Sequence, residues 1–103
     1  MNGVYEIDEI TAKLRPVFSS APVYRAILFG SYAKGSATDK SDVDIVIDSR
    51  GKLVNINFFG VLEDVVTVLG KNVDMLEISD IREGSPILRD IREHGVVLYE
   101  REG

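Results

Sequence analysis

Leu28-Phe29-Gly30-Ser31, separated by ten residues from Asp42-Val43-Asp44, constrains this chain more than any other stretch. The apolar run from Tyr24 to Phe29 stops at Gly30 and reads as a buried strand. Ser31 to Lys34 suits a single helical turn, and the small polar residues Gly35 to Ser41 predict a loop. Asp42 to Asp48 then alternates, with Val43, Ile45 and Ile47 on one side and Asp42, Asp44, Val46 and Asp48 on the other. Side chains on a strand alternate between its faces, so this strand has one greasy face and one largely acidic face.

The flanking sequence supplies partners for such a unit. Ile7, Ile10, Leu14 and Val17 recur at helical spacing with Phe18 beside them. Pro16 lacks an N–H and is expected to kink or interrupt that helix. Asn57 to Leu69 carries a second helical stripe closed by Gly70, and Asn72 to Ile78 reads as a strand. Pro86 to Glu93 reads as a short helix with proline in its first turn, ended by Gly95, and Val96 to Tyr99 as a strand. The order is α-β-α-β-α-β-α-β with short connections. It predicts one α/β sheet and a single domain over residues 1–103, with strand directions left open.

Charge and composition narrow the function. The net charge of −5 lacks the basic excess that broad binding to a polynucleotide backbone needs. A nucleotide remains compatible, because bound metal inverts the local charge. The absence of cysteine excludes disulfides and thiolate metal sites. No apolar run approaches the ~20 residues of a membrane span, so a soluble cytoplasmic protein is expected.

Asp42 and Asp44 leave the same face of their strand. Two carboxylates held together repel unless something neutralises them, and Mg²⁺ is commonly held by one or two carboxylates plus substrate phosphates. A solvated strand face is the other reading of a bare Asp-x-Asp. Gly30 permits close backbone approach, and Ser31 brings a hydroxyl and an N–H to what reads as a helix start, a place that favours anions. Asp74, between Val73 and Met75, is an acidic residue in an apolar strand, and is costly there unless exposed, paired or metal-bound. If that strand neighbours the one bearing Asp42 and Asp44, three carboxylates meet. That is enough for two metal ions ~3.5–4 Å apart, the arrangement used for in-line displacement at phosphorus.

Gly30-Ser31, ten residues, Asp42-x-Asp44 and then Asp74 resemble the DNA polymerase beta-like nucleotidyltransferase superfamily. The short length, Leu28 to Gly35, Ser41 to Ile47 and the ending Ile87 to Tyr99 are similar to its minimal nucleotidyltransferase branch. The resemblance implies a small mixed sheet flanked by helices. It implies that Gly30 and Ser31 contact a nucleotide triphosphate, and that Asp42, Asp44 and Asp74 hold two Mg²⁺ ions. Asp74 is also implied as general base. Lys34 stands where the family often has arginine, and meets phosphate as a point charge without bidentate geometry. The implied reaction transfers AMP from ATP to a hydroxyl. The branch's usual partner is a HEPN-type toxin, modified on tyrosine, with the minimal nucleotidyltransferase as antitoxin. Two alternatives stay open: neutralisation of the partner by contact alone, or a small-molecule hydroxyl as acceptor.

Other residues carry competing readings. Arg89 and His94 have the Arg-x4-His spacing of HEPN ribonucleases, but those domains are all-helical, and His94 suits a helix end beside Gly95. Lys40 reads as a loop lysine or a phosphate contact. Tyr32 could pack on a nucleotide or in the protein. Asp39 and Asp48 read as surface or turn residues. The apolar stripe Phe58, Phe59, Val61, Leu62, Val65 and Val66 is expected to cover the sheet, with part of it free to meet a partner.

Overall fold

The computed structural model describes residues 3–102; Met1, Asn2 and Gly103, at the ends of the expected domain, lie outside the described residues. The elements are α1 (Ile7–Ser19), β1 (Arg25–Phe29), α2 (Gly30–Lys34), β2 (Val43–Asp48), α3 (Ile56–Leu69), β3 (Val73–Glu77), α4 (Pro86–His94) and β4 (Val96–Glu100). A 3₁₀ turn, Ile78–Asp80, ends the third strand one residue earlier than the apolar pattern suggests. No helix among the described residues is long and apolar enough to cross a membrane.

The four strands form one mixed sheet in the order β3-β2-β1-β4. β1 runs antiparallel to both β2 and β4, while β2 and β3 are parallel. The parallel pair needs a crossover, and α3 supplies it. Val43, Ile45 and Ile47 all turn inward on the face covered by α1 and α3, where Ile10, Leu14, Phe18, Val61, Val65 and Leu69 complete the main core. The opposite face carries a smaller cluster of Phe29, Val46 and Ile91, the last from α4. Val46 therefore shares a face with Asp44 but lies beneath α4. The acidic face becomes apolar one step along the strand.

The stripe on α3 does cover the sheet, except that Phe59 is 63% exposed at its outer edge. Gly70 closes α3 in the left-handed conformation, as its position predicted. Gly95 is needed for a different reason. A Cβ there would stand 2.4 Å from the Ile91 carbonyl oxygen and 2.7 Å from Ile27, so its lack of a side chain lets α4 turn directly onto the sheet.

Pro16 does not interrupt α1, which continues through it to Ser19. Only one further turn lies beyond the proline, and Phe18 in that turn is wholly buried. The turn is also held from outside. The Arg101 guanidinium donates to the carbonyls of Phe18, Ser19 and Ala21, and its Nε donates to Val23 O. Burial and a charged cap outweigh the single bond that proline removes.

Candidate active site

The strand register assembles the site. Phe29, at the end of β1, lies opposite Asp44 of β2, and Asp44 lies opposite Asp74 of β3. The Gly30-Ser31 turn and two of the predicted carboxylates thus occupy one row at one end of the sheet. Asp42, just before β2, has the same parity as Asp44, and like Asp74 it is exposed. Asp44 is half-buried between them.

Gly30 is fitted to this row. Its φ is +71°, and a Cβ there would fall 2.1 Å from Oδ2 of Asp44 and 3.0 Å from its Cγ. Only glycine places the turn this close to the carboxylate. Phe29 stays extended and α2 begins at Gly30, so the chain turns from strand to helix in one residue. Gly35 then ends α2 in the left-handed conformation, with its N–H bonded to Ser31 O.

The carboxylates feel one another. Burial first, then the charges of Asp74, Asp42 and Asp90 and a hydrogen bond with Asp74, push the Asp44 carboxyl up to about 6. Among the described residues no three or more acidic or histidine side chains are gathered into a ready metal cage. The three predicted carboxylates form a facing pair, Asp44 and Asp74, with Asp42 within electrostatic reach. A carboxylate driven toward its neutral form by burial and by three acidic neighbours fits a hard divalent cation, whose charge would offset both.

Lys34 is on α2, four residues after Gly30. Its Nζ is 3.3 Å from Oδ1 of Asp90 on α4, and Oδ2 of Asp90 accepts from the Gly30 N–H at 3.1 Å. His94 brings Nδ1 to 3.2 Å from the same Oδ1, which gives it a place beside the site. Burial works against the charge on Asp90, but the Gly30 N–H, Lys34 and His94 outweigh it and hold this carboxyl below the usual range. The sequence alone does not single out Asp90. Its one local signal is the Asp90-x3-His94 spacing on a helix, and nothing in the sequence ties it to Gly30, sixty positions away.

The remaining residues fall outside the row. Tyr32 is buried in the main core, so it packs in the protein; among the described residues its hydroxyl has no hydrogen-bond partner. Lys40 and Asp39 are exposed in the loop, where the Lys40 N–H donates to Thr38 Oγ1. Asp48, at the far end of β2, accepts from the Arg50 N–H and serves the turn there.

Known proteins resemble this chain in sequence and in fold. A family model described as a nucleotidyltransferase domain matches residues 7–98. A Methanocaldococcus jannaschii protein assigned as a protein adenylyltransferase is 35% identical over 85 residues, 82% of this chain and 87% of its own length. Protein adenylyltransferase MntA of Thermococcus cleftensis is 33% identical over 66 residues, 62% of this chain and 67% of that protein. Among solved structures, a toxin–antitoxin crystal structure with AMP-PNP contains a chain that superposes with a TM-score of 0.70. The two are 23% identical, over 95% of this chain and 76% of that one. A complex of tri-AMPylated Shewanella oneidensis HEPN toxin with MNT antitoxin gives a TM-score of 0.68 at 19% identity, over 92% of this chain and 73% of the other. These two superpositions establish the shared fold.

Proposed function

Since this chain belongs to the nucleotidyltransferase domain family and is a nucleotidyltransferase, we propose that it transfers AMP from ATP to a tyrosine hydroxyl of a cognate HEPN-type toxin, as that toxin's antitoxin in the cytoplasm. The observation that carries this reading is the contact of Gly30 with the Asp44 carboxylate, beside Asp74. A phosphate-binding turn and a carboxylate pair meet at one point. The names of the relatives support the protein acceptor, and the toxin–antitoxin structures support the kind of partner.

In the proposed reaction the acceptor oxygen attacks the α-phosphorus of ATP. A new P–O bond forms, the bond from the α-phosphorus to the bridging oxygen breaks, and pyrophosphate leaves. Ser31 holds the triphosphate through its N–H and hydroxyl, Gly30 lets the phosphates come close to the turn, and Lys34 adds a point charge. Asp74, the exposed member of the facing pair, takes the proton of the incoming hydroxyl, and its exposure supports this role. Asp42, Asp44 and Asp74 would hold two Mg²⁺ ions, which supply activation of the hydroxyl and charge stabilisation of the leaving pyrophosphate when bound. The protein's own share is placement and charge.

Incubation with α-labelled ATP, Mg²⁺ and the protein encoded beside this one tests the proposal. Label is expected on the partner, with Asp42→Asn and Asp44→Asn each lowering the rate by at least about a hundredfold. No transfer by the parent would sink the catalytic reading. Neutralisation of the partner by the triple variant Asp42→Asn, Asp44→Asn, Asp74→Asn would assign the antitoxin role to contact alone.

A further inference from the structure

The proposed reaction leaves Asp90 without a role, yet its carboxylate reaches into the phosphate turn from a distant element. Oδ2 takes the Gly30 N–H at 3.1 Å, and Oδ1 lies 3.3 Å from Lys34 Nζ. Gly30 and Lys34 are the first and last residues of α2, and four-residue spacing puts them on one side of it. One side chain therefore grips both ends of that helix. His94, one turn further along α4, approaches Oδ1 at 3.2 Å and steadies the carboxylate in turn.

α2 needs such a grip. With five residues it is far below the length at which a helix holds itself, and its first residue sits at φ +71° with the Asp44 carboxylate close against it. Lys34 has a long side chain that is costly to order and is only half-covered. The Asp90 carboxylate is the better sheltered partner, with 22% of its side chain exposed. It is also anchored through Ile91, which packs against Phe29 and Val46 beneath the same row.

We propose that Asp90 is a positioning residue for the nucleotide: it fixes the Gly30 peptide and the Lys34 ammonium in the arrangement that receives the triphosphate. The inference rests on the AMP-transfer reading above and adds a residue to it. Asp90 acts through Gly30 and Lys34 and does not itself touch the substrate.

Two substitutions separate this role from a plain staple between α2 and α4. Asp90→Asn keeps an oxygen for the Gly30 N–H and loses the charge facing Lys34; Asp90→Ala loses both. The readouts are the Gly30 amide resonance, calorimetric affinity for AMP-PNP with Mg²⁺, and KM and kcat for ATP. Asp90→Ala is expected to shift the Gly30 resonance, to weaken AMP-PNP binding and raise KM about tenfold, and to change kcat at saturating ATP less than about threefold. Asp90→Asn is expected to restore the resonance and part of the affinity. Unchanged affinity and KM in Asp90→Ala, whatever its melting temperature, would overturn the proposal. Tighter AMP-PNP binding by Asp90→Asn than by the parent would also overturn it, since Asp90 would then be a competing anion. If Asp90→Ala does not fold, Asp90→Asn decides alone: weaker binding supports the role and unchanged binding removes it. A parent that binds no nucleotide overturns this inference together with the AMP-transfer reading. A parent that transfers AMP, with Asp90→Ala matching it in KM for ATP and in AMP-PNP affinity, overturns this inference only.

Discussion

At the scale of the residue, Gly30 and Asp44 are a matched pair. Gly30→Ala would place a Cβ into Asp44 Oδ2 and force a side chain into the left-handed region. We expect a loss of about 1 kcal/mol or more in stability from the backbone alone, read from chemical denaturation. Transfer activity is expected to fall further than stability does, because the carboxylate must move. Asp44 gives a second prediction. An aspartate in the unfolded chain titrates near 3.8, while folding pushes Asp44 up to about 6. Its ionisation therefore works against the fold. The associated stability is complete below about pH 4 and is lost as the pH rises through the folded value. In metal-free buffer Asp44→Asn should melt above the parent at pH 7 and match it near pH 4. The gap is about 1 kcal/mol once its exposure is allowed for. Equal melting at both values would remove the burial and carboxylate crowding inferred for Asp44. Tyr32→Phe tests a third feature: with no partner for the hydroxyl among the described residues, the change should leave thermal stability within about 1 kcal/mol or raise it.

At the scale of the element, α1 shows how tertiary contacts overrule local chemistry. Arg101→Ala leaves the last carbonyls of α1 without their donor and should cost about 2 kcal/mol, with faster hydrogen exchange confined first to the turn after Pro16. Exchange spread evenly over α1 would contradict a local cap. The same contrast explains what could be read from the sequence. Val43, Ile45 and Ile47 announced their strand because a two-residue period has one structural meaning, and Gly70 announced the end of α3 because a left-handed cap favours glycine. Pro16 misled because the forces that carry α1 past it come from Phe18 burial and from Arg101, more than eighty positions on. Tyr32 could not be placed because so short a helix does not reveal which side faces the core. Gly30, Ser31, Asp42, Asp44 and Asp74 stand out by type and spacing, but the row shared by the Gly30 turn, Asp44 and Asp74 depends on the β1–β2 and β2–β3 registers. Asp90 stayed hidden because nothing local distinguishes a helix carboxylate that turns inward from one that faces solvent.

At the scale of the molecule, the site hangs from the end of the sheet while the core fills its broad face between α1, α3 and the strands. Chemistry and stability should separate accordingly. Leu14→Ala, wholly buried, should cost about 3 kcal/mol. Asp74→Asn, exposed, should change the melting temperature little while removing transfer, so parallel denaturation and label-transfer assays distinguish the two. The strand order has a consequence during synthesis. β1 is interior, yet one of its edges is covered only by Val96–Glu100. On the ribosome the strand that leads into the Gly-Ser turn keeps an open row of N–H and C=O groups until nearly all of the described chain has been translated. Premature termination before Val96 would leave that sticky edge exposed, so such a fragment should aggregate or be degraded instead of persisting as a partly active form.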